Sequence, residues 1–362
     1  MRQTASPPLT TIDRPVLITG GCGFIGCNLA DALLTRGQRV LVLDNLARPG
    51  VEKNRAWLES RHGNRITVEI GDVRDAETVN ALVRQVSAVL HLAGQVAVTT
   101  SLEDPKEDFA INAAGTLNVL EAVRCLNPGA PMLFASTNKV YGRMFGADDV
   151  TLRDTRYQPR HPRFANGVSE KEPLDLYSPY GCSKGAADQY VADYARVFGL
   201  RTAVLRMSCI YGVRQFGTED QGWVAHFMKR AIAGQPITLY GDGYQVRDIL
   251  YIDDAVAAWL AVLDSIELLA GRIFNLGGGG ENSVSLRELL GTIAEVIGQR
   301  PQIACEDWRP GDQPWYVSDT TNLRKATGWR PQKALPDGLD ALRNWLADGF
   351  VPAPGQLAEA RA

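Results

Sequence analysis

Tyr180 and Lys184 stand four residues apart in the segment SPYGCSK, residues 178–184. On a helix this spacing places both side chains on one face. An ammonium beside a phenol favours the phenolate, so we expect Lys184 to lower the pKa of Tyr180 from about 10 towards neutral pH. A phenolate is a general base for the proton of an alcohol. Thr137, from a different predicted element, adds a hydroxyl, which makes an accidental surface pair the weaker interpretation.

A glycine-rich turn near the N-terminus, formed by Gly20, Gly23 and Gly26, lies between an apolar strand and a helix. Such a turn brings backbone N–H groups onto a pyrophosphate and lets the helix pack on the sheet. A glycine triplet alone is weak evidence, but here an acid, Asp44, ends the next strand. Asp44 is expected to accept hydrogen bonds from the adenosine ribose and to repel a 2′-phosphate, which favours NAD over NADP. We interpret the nearby Arg48 as a solvated charge.

Further cofactor contacts are predicted where the following strands end. Asp72 is placed to bond the adenine amine, although it could also cap the helix that begins at Ala76. A base for an alcohol beside a dinucleotide is the machinery of hydride transfer, so the chain is predicted to be an enzyme. The predicted cofactor-binding residues are Gly20, Gly23, Phe24, Ile25, Gly26, Asp44, Asn45, Asp72, Val73, Leu92, Ala93, Gln95, Tyr180, Lys184 and Met207.

Apolar strands alternate with helical segments through the first part of the chain. We predict strands at 16–19, 40–43, 66–70, 88–92, 132–135 and 202–205, and helices at 24–35, 76–85, 107–125 and 180–198. The polar segment up to Asn64 is assigned no element. This alternation predicts an α/β fold, a Rossmann-type doubly wound parallel sheet with a smaller, irregular α/β substrate-binding lobe.

The predicted domain organisation follows from where the alternation stops. Residues 15–206 form the NAD-binding domain that carries the catalytic residues, and residues 207–350 form mainly the substrate lobe. Flexible tails are expected at residues 1–14 and 351–362, because both are small or polar and lack a periodic pattern.

Composition excludes several classes of function. The 362 residues carry a net charge of −3, with 45% hydrophobic and 22% charged residues. This balance favours neither nucleic acid nor a membrane surface as a partner, and neither a secretory signal nor a membrane-spanning run is expected. The six cysteines are scattered and only four histidines accompany them. We therefore expect no metal site and no disulfides, and a reducing cytoplasm as the location.

From Val16 to about Trp345 the chain resembles the extended short-chain dehydrogenase/reductase family of nucleotide-sugar enzymes. The segments QVAVTTS, STNKVYG, SPYGCSKGAADQY and RQFGTEDQGWV resemble, within it, the 2-epimerases of the CDP-paratose/CDP-tyvelose type. The resemblance implies Thr137, Tyr180 and Lys184 as the catalytic triad, NAD as cofactor and a nucleotide-sugar as substrate. It implies a homodimer or homotetramer built on the helices at 107–125 and 180–198. The implied substrate-binding residues are Thr99, Thr137, Asn138, Ser208, Cys209, Gln215, Val224, Leu239, Tyr240, Arg247, Arg309 and Asp312.

Departures from the family pattern narrow the chemistry. Dehydratases of this family carry Asp-Glu after the catalytic Thr, and decarboxylating relatives carry Glu at the second position, whereas this chain has Asn138 and Lys139. Elimination is therefore disfavoured, and oxidation and reduction of one sugar carbon remains. Cys209 stands where many relatives have a substrate-binding Asn. Arg247 and Arg309 match positions that grip the substrate pyrophosphate, the alternative being surface ion pairs, such as Arg247 with Asp248.

Three alternatives stay open. The same chemistry could act at C4, or on a UDP- or GDP-linked sugar, because the triad is common to both regiochemistries. A non-catalytic NAD sensor on this fold is a more remote alternative. Loss of Tyr180 or Lys184 would mark that class, and both are present.

Overall fold

The structure is a computed structural model that describes residues 14–309 and 312–348, so all but Arg14 of the two predicted tails lies outside the described residues. The strands are β1 (Val16–Thr19), β2 (Val40–Asp44), β3 (Ile66–Ile70), β4 (Ala88–His91), β5 (Met132–Thr137), β6 (Val150–Arg153), β7 (Arg156–Pro159), β8 (Thr202–Met207), β9 (Cys209–Tyr211), β10 (Ile237–Tyr240), β11 (Val246–Tyr251), β12 (Arg272–Leu276), β13 (Ser283–Ser285), β14 (Ile303–Glu306) and β15 (Trp315–Tyr316). The helices are α1 (Phe24–Thr35), α2 (Val51–His62), α3 (Ala76–Val83), α4 (Val98–Glu103), α5 (Pro105–Phe109), α6 (Gly115–Leu126), α7 (Ser178–Phe198), α8 (Trp223–Ile232), α9 (Ile252–Asp264), α10 (Ile266–Leu269), α11 (Leu286–Ile297), α12 (Thr321–Thr327) and α13 (Leu335–Ala347).

Seven strands form the central sheet in the order β12-β8-β5-β4-β1-β2-β3, and every pairing in it is parallel. The chain starts at β1, builds outward through β2 and β3, and then returns to the other side of β1 with β4. This reversal places a crevice beyond the carboxyl ends of β1 and β4, where doubly wound sheets bind ligands. The predicted α/β, Rossmann-type doubly wound fold is confirmed.

Successive residues of each central strand point into two different cores. Leu17 and Leu41 belong to the core under α3, α6 and α7. Ile18 and Val42 belong to the core under α1, α2 and α9. Burial on both faces explains why these strands read as continuous apolar runs in the sequence.

The segment up to Asn64, for which no helix or strand was predicted, contains helix α2. Its contacts with the rest of the domain are partly polar. Buried Asn54 donates to the carbonyl of Cys22 at 3.0 Å, and His62 bonds Asp31 at 2.7 Å. Because polar side chains carry these contacts, the helix shows little apolar periodicity.

The later strands form smaller sheets beside the carboxyl edge of the central sheet. Strand β11 pairs with β9, β13 and β15, while β10 pairs with β14. Helices α8, α11 and α13 pack against one another behind them. Within the described ranges, no helix is long and apolar enough to cross a membrane.

Candidate active site

The glycine turn connects β1 to α1 at the carboxyl edge of the sheet. Gly20 has φ +68°, in the left-handed region, and a Cβ there would lie 2.8 Å from the backbone nitrogen of Ala93. A Cβ on Gly26 would lie 2.3 Å from the carbonyl oxygen of Gly20. Gly23 is the N-cap of α1 and offers no capping side chain. The first N–H groups of α1 are therefore open to an anion, as a pyrophosphate requires.

Asp44 lies at the end of β2, directly beside this turn. One carboxylate oxygen accepts from the N–H of Cys22 at 2.9 Å, and the other accepts from the N–H of Leu46 at 2.9 Å. Burial raises the pKa of Asp44, and these backbone donors oppose the rise. The carboxylate is thus fixed next to the helix N-terminus, where a ribose hydroxyl would find an acceptor.

Asp72, at the loop after β3, lies beside the residue that follows Asp44. Asn45 donates to Asp72 at 2.9 Å, and Arg74 forms an ion pair with it at 2.9 Å. The hydrogen bond from Arg74 is the main reason that the pKa of Asp72 falls to about 2. The alternative that Asp72 caps α3 is wrong, because Asp75 is the N-cap and accepts from the first turn.

Tyr180 and Thr137 come together from α7 and β5. The Tyr180 side chain is buried, with 7% exposed, and its phenol hydrogen-bonds Thr137. Burial raises the pKa of Tyr180 to about 12, whereas Thr137 and the positive charge of Arg48 oppose the rise. Arg48 is exposed, as the sequence interpretation expected, and it also lies within electrostatic reach of the phenol.

The pKa values of Tyr180 and Lys184 in the structure differ from those expected from the sequence. Lys184 is buried, and its ammonium lies 4.2 Å from the centre of the Phe134 ring. Burial lowers the pKa of Lys184 to about 8, opposed by Asp188 and Asp108. The expectation that Lys184 lowers the pKa of Tyr180 is wrong for this structure, because burial dominates and Lys184 is not among the groups that oppose it.

A buried polar cluster beside Lys184 was missed in the sequence. Ser183 and Asn112 both donate to the carboxylate of Asp108. Asn112 lies in a π-helical turn, residues 110–114, that joins α5 to α6. The sequence signal that could have predicted this cluster was the i, i+4 spacing of Asp108 and Asn112, which places both side chains on one face of a helix. After Asp188, Asp108 of this cluster is the second negative charge that partly offsets the burial of Lys184.

The end of β4 forms the floor between the glycine turn and Lys184. The N–H of Ala93 donates to Thr19 at 3.2 Å. Gln95 folds its amide back onto the backbone of Ala97, so its side chain is engaged within its own loop. Thr99, also predicted to touch substrate, is partly exposed on α4.

Lys139, Arg247 and Asp312 interact in one group beyond the end of β5. The Arg247 guanidinium lies 3.8 Å from the carboxylate of Asp312, not paired with Asp248 as the alternative interpretation had it. Burial lowers the pKa of Lys139, and Arg247 lowers it further. Cys209 belongs to the same group and accepts from the indole of Trp223 at 3.3 Å. This group contains two basic side chains, and the backbone N–H of Lys139 donates to the Thr137 hydroxyl at 3.2 Å.

Arg309 lies farther out, over the ring of Tyr240 at 3.7 Å. It contacts Glu219 at 3.3 Å and Asp220 at 3.7 Å. Tyr240 also donates its hydroxyl to Glu219. In this structure Arg309 is thus ion-paired, as the alternative interpretation expected, and it lies beside Tyr240.

Several predicted contact residues are engaged within the fold itself. Ser208 donates its hydroxyl to the buried carboxylate of Asp248, and Gln215 donates to the carbonyl of Ile210 at 3.2 Å. The remaining predicted apolar residues have packed side chains, fully or partly buried: Phe24, Ile25, Val73, Leu92, Met207, Val224 and Leu239. These side chains pack in or against the hydrophobic cores, and nothing in their contacts marks them as ligands. Between residues 14 and 348, leaving aside 310 and 311, no group of His, Cys, Asp or Glu could hold a metal ion.

Comparison with known proteins gives a consistent match. The model of the NAD dependent epimerase/dehydratase family matches residues 16–277. The CDP-paratose 2-epimerase of Salmonella typhi is 42% identical over 344 residues, which covers 92% of this chain and 99% of the relative. A putative UDP-glucose 4-epimerase of Methanocaldococcus jannaschii is 31% identical, over 91% of this chain and 98% of the relative.

Among solved structures, the UDP-glucose 4-epimerase of Thermus thermophilus in complex with NAD superposes with a TM-score of 0.77. It is 32% identical, and the match covers 92% of this chain and 99% of that chain. The similarity therefore extends over the central sheet and the smaller sheets together.

Proposed function

Because the chain belongs to the NAD-dependent epimerase/dehydratase family, and its cofactor is therefore NAD, we propose that this enzyme inverts C2 of a CDP-hexose of the CDP-paratose/CDP-tyvelose type. The observation that carries the proposal is the arrangement around Tyr180. The phenol is buried against Thr137 at the edge that holds the glycine turn, while positions 138 and 139 carry no carboxyl group. The 42% identity to a CDP-paratose 2-epimerase supports the choice of carbon and nucleotide.

The residues at the crevice fit NAD. The space beside Gly20 and Gly26 is too tight for any Cβ, and the open N-terminus of α1 suits a pyrophosphate. Asp44 is held where it would accept from the adenosine ribose hydroxyls, and Lys184 would hold the ribose of the nicotinamide half. When bound, NAD would supply a hydride acceptor for oxidation of the sugar carbon and a hydride donor for its reduction from the opposite face.

Tyr180, Thr137 and Lys184 would act as the catalytic residues. Tyr180 takes the proton of the sugar hydroxyl, and returns one when the ketone is reduced. Thr137 orients that hydroxyl and bonds the developing carbonyl oxygen. Since the pKa of Tyr180 is about 12 in the structure, positive charge must be added next to the phenol before it ionises near neutral pH. Oxidised NAD would add that charge, alongside Arg48, which already opposes the effect of burial.

We assign substrate binding mainly to residues 207–350 and cofactor binding to residues 15–206. The division is one of function, because β12 comes from the second part and completes the central sheet. Arg247 and Arg309 would bind the substrate diphosphate, with Tyr240 near the base. Asn138, Thr99 and Cys209 would border the sugar.

We also propose a homodimer that forms on the helices α4 to α7. Phe109 and Tyr190 are exposed on this surface, by 58% and 47%. Leu102 and Val197 are exposed beside them, by 54% and 58%. Such an apolar group on neighbouring helices is typical of a protein interface.

The free thiols of the six cysteines support a reducing cytoplasm as the location.

The function is tested by incubating the full chain with CDP-paratose and following the sugar by NMR. The expected product is CDP-tyvelose, with no net change in NADH. Mass spectrometry of the small molecules released on denaturation should show NAD without a 2′-phosphate. Turnover of UDP-glucose to its C4 epimer, with no action on CDP-paratose, would assign the enzyme to the 4-epimerases.

A further inference from the structure

Lys139 follows Thr137 on the short turn Asn138–Tyr141 that begins where β5 ends. The N–H of Lys139 donates to the hydroxyl oxygen of Thr137 at 3.2 Å. The lysine side chain therefore leaves the backbone two residues beyond the hydroxyl that bonds Tyr180. Lys139 thus lies at the same edge of the sheet as the proposed base, although sequence reasoning noted it only as a missing acid.

The charges around Lys139 are not balanced. Lys139, Arg247 and Asp312 interact electrostatically in one partly buried group. Within the part of the chain that the structure describes, Lys139 forms no ion pair, whereas Asp312 lies 3.8 Å from Arg247. Two basic side chains therefore share one carboxylate. In a partly desolvated site this arrangement favours binding of an anion.

The proposed substrate supplies that anion at a defined distance from the reacting carbon. The sugar-linked phosphorus of a nucleotide-sugar is separated from C2 by only C1 and its oxygen, but from C4 by four atoms. A substrate with its 2-hydroxyl at Tyr180 and Thr137 therefore places this phosphate close to Thr137. A substrate with C4 there places the phosphate farther out, towards Arg309 and Tyr240.

We propose that Lys139 binds the sugar-linked phosphate and thereby selects C2 as the reacting carbon. The inference rests on the proposed function. A carboxylate at this position, as in related dehydratases, would repel the phosphate. Lys139 is in this account a substrate-binding residue that determines regiochemistry, and it moves no proton.

The test compares CDP, which carries the second phosphate, with CMP, which lacks it. Binding of both is measured by calorimetry to the NAD-loaded full chain as wild type, Lys139→Met and Lys139→Arg. Loss of one charged hydrogen bond should weaken CDP binding by about 10- to 100-fold in Lys139→Met, while CMP binding changes far less. Lys139→Arg should keep most of the CDP affinity. Lys325→Met removes an exposed lysine of α12 and should change neither affinity.

Equal losses for CDP and CMP, or unchanged CDP binding in Lys139→Met, would overturn the inference. If the methionine variant does not fold, as judged by its NAD content and thermal unfolding, Lys139→Gln carries the same comparison. Failure of the proposed function shows separately, in the wild type, as no epimerisation of CDP-paratose. If the wild type epimerises CDP-paratose but the Lys139 variants keep the wild-type ratio of CDP to CMP affinity, the proposed role of Lys139 is overturned and the proposed function stands.

Discussion

Replacing Tyr180 by Phe removes one hydroxyl and leaves the ring in its buried place on α7. Loss of a positioned general base should lower kcat by about 10²- to 10⁴-fold, which corresponds to about 3 to 5 kcal/mol of activation free energy. The lost hydrogen bond with Thr137 should lower the free energy of unfolding by only about 1 kcal/mol. NAD content should not change, because the glycine turn and Asp44 lie elsewhere in the crevice.

The assay follows epimerisation of CDP-paratose by NMR and measures NAD after denaturation of the same sample. Tyr194→Phe is the matched control, because Tyr194 lies on the same helix and is 7% exposed, as Tyr180 is, while its hydroxyl bonds Glu121. It should show wild-type turnover. A Tyr180→Phe enzyme with turnover close to that of Tyr194→Phe would refute the assignment of the base. Loss of NAD from Tyr180→Phe alone would show that the tyrosine serves cofactor binding instead.

Three further outcomes are expected. In fluorescence titrations, Asp44→Ala should weaken the binding free energy of NADH by about 1.5–3 kcal/mol and strengthen NADPH binding, since the carboxylate both accepts from the ribose and repels a 2′-phosphate. Wild-type protein that prefers NADPH would contradict this. In calorimetry, Arg247→Ala and Arg309→Ala should each weaken CDP binding by about 1.5–3 kcal/mol, with NAD content unchanged. A variant that unfolds or loses NAD would show that its arginine has a structural role instead. Ultraviolet difference spectra against Tyr180→Phe should show that Tyr180 of NAD-free protein ionises only as the pH rises to about 12. Oxidised NAD should shift this ionisation to lower pH, because positive charge favours the phenolate. Ionisation near pH 10 without NAD would contradict the effect of burial.

The central sheet was predictable because its strands are buried on both faces. Val40–Asp44 and Met132–Thr137, for example, are apolar along most of their length, and glycine or polar residues follow them. The glycine turn was equally clear, since its close contacts admit no side chain. Helix α2 was not predictable by periodicity, because Asn54 and His62 make part of its buried contacts through hydrogen bonds.

The electrostatics of the site were the least predictable part. Sequence spacing places Tyr180 and Lys184 on one helical face, but the pKa of each depends on burial by other elements. Asp108 and Asn112 approach Lys184 only through the packing of α5 and the π-helical turn against α7. The unbalanced charge at Lys139 likewise arises between β5, β11 and the loop that carries Asp312, which are distant in the sequence.

The most direct test of the central claim uses CDP-paratose deuterated at a single sugar carbon. Substrate deuterated at C2 should show a primary isotope effect on the chemical step, and substrate deuterated at C4 should show none. Turnover in D₂O should place no deuterium on carbon, because the hydride leaves and returns without exchange. An isotope effect at C4 alone would make this enzyme a 4-epimerase, and solvent deuterium at C2 would replace hydride transfer by enolisation.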